Sequence, residues 1–126
     1  MDVTPLVASD RKIIQSYGPG LFRVSGESYE QTGIIVFPDR VEVWDLKGNV
    51  EDLTEADLSM LMEAADEIDV ALLGCGATMQ FVSPAFRKGL SGKGLSIEPM
   101  DTGAACRTYN VLLAEGRRVA AALIPV

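Results

Sequence analysis

Between residues 13 and 44 the apolar positions come in short runs separated by turn residues; from residue 54 onward they recur at helical spacing. Residues 13–17 read as a strand closed by Gly18-Pro19-Gly20, and residues 21–24 as the strand after that turn. Residues 33–37 form a continuous apolar run with β-branched members, the pattern of a strand buried on both faces. After the turn pair Pro38-Asp39, residues 41–44 alternate, with Val41 and Val43 on one side and Glu42 and Trp44 on the other. This makes Trp44, with Phe22, a candidate for exposure, where a tryptophan would anchor an interface. The other reading has Trp44 covering the sheet under a loop. Residues 45–50 read as a loop or hairpin.

The period then changes. Thr54 is placed to cap a helix, with Asp57 three residues on, and Leu53 and Leu58 occupy the two positions of a hydrophobic staple. Leu58, Leu61, Met62 and Ala65 make an apolar stripe, so a helix is expected to about residue 66. It leads into a buried strand over residues 70–74. Ser83-Pro84 starts a second helix, with Phe86 and Leu90 as its apolar contacts and Gly92 and Gly94 at its end. Residues 95–98 read as a strand. Asp101 or Thr102 caps a third helix, which Gly116 stops, and residues 119–124 form the last strand.

Strands followed by helix-strand-helix-strand-helix-strand predict an α/β fold. The expectation is a single three-layer domain over residues 13–126, with a mostly parallel, mixed central sheet, an additional N-terminal strand region and about three helices. Residues 1–12 are expected to be a loose N-terminal segment.

Composition narrows the function. At 126 residues and 48% hydrophobic, the chain can bury a core without disulfides or metal. No apolar run is long enough to span a bilayer. The absence of histidine excludes Ser-His-Asp and Cys-His nucleophile pairs within the chain, along with the usual histidine-containing zinc and iron sites. Two cysteines make neither a secreted disulfide framework nor a cysteine-only zinc site, and the N-terminus carries no basic start and no apolar stretch, so a cytoplasmic location without metal or cofactor is expected. Residues 39–69 hold eleven acids against Arg40 and Lys47, whereas residues 70–126 hold three acids against six bases. The acidic stretch argues against nucleic acid as a partner. It reads either as a solvated face or as a surface that selects a basic partner.

Candidate chemistry gathers at two glycine-punctuated turns, Leu73-Gly74-Cys75-Gly76 and Met100-Asp101-Thr102-Gly103. In an open α/β sheet, turns after buried strands lie where ligands bind. Gly74 and Gly76 either allow a sharp turn or let the backbone approach an anion or nucleotide. Met79 stands where the third glycine of a dinucleotide fingerprint belongs, and no P-loop lysine follows. On the third helix, Ala105, Tyr109, Leu112 and Leu113 form a core stripe, while Gly103, Arg107, Asn110 and Ala114 share a flanking face. Small residues around an arginine and an amide suit either a bound anion near the helix N-terminus or the close approach of another backbone, with Arg107 paired to a carboxylate such as Asp101. Cys75 and Cys106 become neighbours if both turns share one edge. A thiol near a helix start and an arginine would have a lowered pKa, although free cysteines usually only pack.

The stretches Tyr17-Gly18-Pro19-Gly20, Ile35-Val36-Phe37-Pro38, Leu73-Gly74-Cys75-Gly76 and Asp101-Thr102-Gly103-Ala104-Ala105-Cys106-Arg107-Thr108-Tyr109-Asn110-Val111-Leu112 resemble the Mth938-like domain family of unknown function. That family includes the third assembly factor of the mitochondrial NADH dehydrogenase 1 alpha subcomplex. The resemblance runs from about residue 13 to residue 124 and is most specific in the last stretch. It implies a three-layer α/β fold with a mixed central sheet and no established catalytic residues. Without a mitochondrial presequence, this chain is similar to a bacterial or otherwise cytoplasmic version.

Two functions are therefore carried forward. The first is a non-enzymatic protein-binding or assembly module. The second is a small-ligand or anion-binding domain, or an enzyme, with its site between the Gly74-Gly76 turn and the third helix, drawing on Gly74, Cys75, Gly76, Thr102, Arg107 and Asn110.

Overall fold

The computed structural model describes Asp2, residues 10–46 and residues 48–126. The loose segment expected over residues 1–12 lies mostly outside the described residues. Strands β1 (Ile14–Tyr17), β2 (Leu21–Val24) and β3 (Glu27–Glu30) form a small antiparallel sheet in that order. Strands β4 (Gly33–Phe37), β5 (Arg40–Trp44), β6 (Val70–Gly74), β7 (Ile97–Met100) and β8 (Val119–Leu123) form the central sheet, in the order β5-β4-β8-β6-β7. There β6 runs parallel to both β7 and β8, while β4 is antiparallel to both β8 and β5. The sheet is mixed, as expected of this α/β domain, with two parallel and two antiparallel pairings.

Both faces of this sheet are covered, which is why its middle strands are apolar throughout. On one face Ile35, Phe37, Leu73, Ala120 and Ala122 pack with Leu61 of helix α1 (Ser59–Glu63) and Leu90 of helix α2 (Pro84–Gly92). On the other, Ile34, Val36, Leu72, Ala121 and Leu123 pack with Tyr109 and Leu113 of helix α3 (Thr102–Ala114) and with Ile14 and Phe22 of the small sheet. Ile34 to Phe37 are all buried, as the unbroken run in β4 predicts.

Three elements differ from the sequence reading. Strand β3 is polar (Glu27, Ser28, Tyr29, Glu30) and has no apolar period to reveal it. It exists because Ser25 and Gly26, at φ of 45° and 87°, turn the chain back onto β2. The helix expected to residue 66 is broken into α1 and flanking 3₁₀ turns. Its buried residues are Leu58, Leu61 and Ala64, spaced by three, which is the repeat of a 3₁₀ helix. The Asp57 carboxylate does reach back to the Thr54 N–H, at 2.9 Å. Strand β7 begins two residues later than expected.

Phe22 is buried rather than exposed, and Trp44 is buried over the sheet, as the second reading of it had it, while Val43 is 56% exposed. Alternation assigns side chains to two faces but not which face is covered. The Trp44 indole N–H donates to the Asp57 carbonyl at 2.8 Å, fixing the ring beneath the 3₁₀ turn.

Candidate functional site

The two glycine turns do meet at the carboxyl edge of the parallel strands, and they meet each other. The buried Thr102 hydroxyl donates to the Ile124 carbonyl at 2.6 Å and accepts from the Gly76 N–H at 2.9 Å. The Thr102 N–H donates to the Gly76 carbonyl at 2.8 Å, and the Cys75 N–H to the Met100 carbonyl at 2.8 Å. One threonine thus ties together the ends of β6, β7 and β8. Gly74 leaves the room this needs, since a Cβ there would lie 2.9 Å from Leu123 Cδ2 and 3.1 Å from the Thr102 backbone. Gly76 sits at φ +100°, which side chains rarely tolerate. Asp101 is the cap of α3, its carboxylate accepting from the Ala104 N–H at 2.9 Å.

The small-residue face of α3 meets a backbone, that of β1. The Asn110 side-chain carbonyl accepts from the Ile14 N–H at 3.0 Å, and its amide donates to the Ile14 carbonyl at 2.8 Å. Asn110 therefore pairs with β1 as a neighbouring strand would. Arg107 donates to the Tyr17 hydroxyl at 2.8 Å rather than to the Asp101 carboxylate suggested from sequence. At Gly103 a Cβ would come within 2.7 Å of that same hydroxyl. Ala114 takes no part and is exposed. The Tyr109 hydroxyl donates to the Lys12 carbonyl at 2.8 Å and completes the seam.

The cysteines are not neighbours, because they pack into the cores on opposite faces of the central sheet. Both are free and buried. The lowered pKa considered for Cys106 does not arise. Burial pushes its thiol up to about 12, and the opposing pull of the Arg107 charge is smaller. The Cys75 thiol faces the Leu73 carbonyl at 3.6 Å.

An open cleft of about 580 Å³ lies at this edge, on the side away from α3. Its walls include Gln31, Asp45, Asn49, Glu51, Cys75 and Gln80, with Trp44 also lining it. Of the six residues named from sequence, only Cys75 reaches it. Gly74, Gly76 and Thr102 are its supporting frame, and Arg107 and Asn110 belong to the seam with β1. Sequence reasoning missed the loop between β6 and α2. There Met79 and Phe81 are 62% and 70% exposed and flank Gln80 of the cleft wall. Two large apolar residues in a stretch without helical or strand period were the available signal. The cleft offers side-chain amides and two carboxylates, a lining suited to hydrogen-bonding or cationic groups. Among the described residues, no cluster of three or more His, Cys, Asp or Glu side chains converges as a metal site.

Comparison with known proteins places these features in a family. A family model described as a protein of unknown function (DUF498/DUF598) matches residues 14–124. The chain is 33% identical over 118 residues to the NADH dehydrogenase [ubiquinone] 1 alpha subcomplex assembly factor 3 of Danio rerio, covering 94% of this chain and 67% of that protein. A crystal structure described as an outer membrane protein from Bartonella henselae superposes with a TM-score of 0.82 at 40% identity, covering 94% of this chain and 98% of that one. A solution structure of a Bordetella pertussis protein described as a Mth938-like domain superposes with a TM-score of 0.77 at 28% identity, covering 99% and 92%.

Proposed function

The chain belongs to the DUF498/DUF598 family of unknown function, and on that premise we propose that it is a non-enzymatic protein-binding or assembly module acting in the cytoplasm. The observation that carries this reading is where the polar groups singled out from sequence are spent. Thr102, Arg107 and Asn110 each bond to the chain's own loops and strands. By contrast, Met79 and Phe81 project beside a ready-made cleft. Exposed large apolar side chains at the rim of a polar depression are what a protein partner buries. The zebrafish relative is named as an assembly factor, which supports a protein partner for this chain. The cytoplasmic location rests on the composition and on thiols that are unpaired.

The test is affinity capture from the native cell of tagged wild type and of Met79→Ser/Phe81→Ser. A stoichiometric partner lost from the double variant, with an unchanged unfolding midpoint, is the expected result. A partner retained at wild-type level defeats the placement of the surface. The second reading, a small ligand, now attaches to the cleft instead of the start of α3. Its support is the cleft's volume and amide lining. Saturable binding of a small polar or cationic metabolite, abolished by Asn49→Ala or Gln80→Ala, would move it to first place.

A further inference from the structure

The two edges of the central sheet are finished differently. At β7, Pro99 has no N–H to offer, and Arg87 donates to the Ile97 carbonyl at 3.1 Å. That edge is blocked in the usual way of natural sheets. At the opposite edge, β5 is paired only with β4 among the described residues. On this strand Val43 stands more than half exposed. Every second residue of such a strand presents an unpaired N–H and C=O outward.

Beside this edge, between β5 and the α1 segment, runs a groove of about 300 Å³ bordered by Glu42, Glu63 and Glu67, with Met60 in its wall. None of the three glutamate side chains has a hydrogen bond or ion pair among the described residues. Arg40 also lines this groove, but its charge is engaged elsewhere: it lies 3.9 Å over the Phe37 ring and pairs with Asp39 at 2.9 Å. Three unpaired carboxylates along an open edge disfavour a second copy of the same edge, because self-pairing would bring the like charges together. They favour a strand carrying Lys or Arg.

We propose that β5 is a docking edge for an extended basic segment of a partner protein, which adds to the central sheet as a sixth strand and places its cations against Glu42, Glu63 and Glu67. Main-chain bonds to β5 supply affinity, and the glutamates supply selection and register. This rests on the reading of the chain as a protein-binding module and names the class of segment it takes.

The test uses the isotopically labelled chain at low salt and a synthetic hexapeptide of alternating Lys and Val with blocked ends. Amide shifts and slowed exchange are expected along β5, with smaller changes around Glu63 and Glu67. The double variant Glu42→Lys/Glu67→Lys, provided its unfolding midpoint matches wild type, should bind at least tenfold more weakly. An alternating Lys-Pro peptide, which has the charge but cannot pair as a strand, should leave the β5 amides unprotected. Equal binding of the Lys-Pro peptide, perturbation centred on the cleft or on β7, or no binding up to concentrations on the order of millimolar overturns the proposal. The two readings fail separately. Peptide pairing at β5 together with unaltered partner capture by the Met79→Ser/Phe81→Ser variant would refute the loop surface and leave the edge standing.

Discussion

The seam between α3 and β1 and the edge that carries the cleft use similar residue types to opposite ends. In the seam, polar side chains bond to the chain's own groups, Asn110 and Thr102 from buried positions and Arg107 from an exposed one. Asn110 completes the bonding of Ile14, Arg107 holds Tyr17, and Thr102 closes three strand ends. At the cleft and along β5, amides and carboxylates line open space, and the large apolar side chains Val43, Met79 and Phe81 face solvent. A buried polar group must be paired by its own chain or pay heavily, whereas an exposed one is already satisfied by water and free to exchange it for a partner. The buried Asn110 and Thr102 therefore report stability, and the polar residues at the open edge report recognition.

The contrast makes graded predictions. The largest effect is expected from Asn110→Asp, which sets a buried carboxylate against the Ile14 carbonyl. It should cost more than Asn110→Ala, itself expected at about 1–3 kcal/mol for an unpaired Ile14 backbone. Denaturant unfolding at neutral pH measures both, and a midpoint equal to wild type for Asn110→Ala would remove the seam's structural role. Next comes Thr102→Val, which keeps the shape but strands the Gly76 N–H and Ile124 carbonyl, at about 1–3 kcal/mol.

Alkaline pH should act through the same layer. Burial pushes the Cys106 thiol from its ordinary 9.0 up to about 12 in the folded state, and it also raises the Tyr109 hydroxyl. The unfolded chain then binds fewer protons than the folded one. Stability is fully present below about pH 9 and falls as pH rises from there toward 12. Thermal melts across that window should show the fall, and Cys106→Ala should make it shallower. A melting midpoint flat to pH 11 would contradict the burial of both groups.

Reductant is expected to leave the melting midpoint unchanged, because the two thiols lie on opposite faces of the sheet. A large shift would require a bridge this fold does not permit. The smallest effect on stability belongs to Met79→Ser and Phe81→Ser, expected within about 0.5 kcal/mol of wild type because both side chains are mostly in water. A larger loss by calorimetry would mean that the loop packs against the domain and is not a recognition surface.

Much of this fold is legible in the chain because local rules and burial agree there. The unbroken apolar run of β4 requires cover on both faces, and it has it. Ser83 and Asp101 cap their helices where the sequence places caps. The small face of α3 requires a close neighbour, and the sequence identifies Gly103, Arg107 and Asn110 as that face. Tertiary structure alone decides that the neighbour is β1, ninety-six positions from Asn110 for the paired residue Ile14. A helix periodicity gives the direction of a side chain and carries no information about what arrives from elsewhere in the chain. The same limit explains Trp44 and Cys106. Alternation separates the two sides of β5 but cannot say that a 3₁₀ turn covers one of them, and proximity in sequence to Arg107 cannot reveal that desolvation outweighs its charge. The cleft is the extreme case. Its walls come from four separate stretches of chain, and a concave surface exists only once the sheet has set their ends side by side.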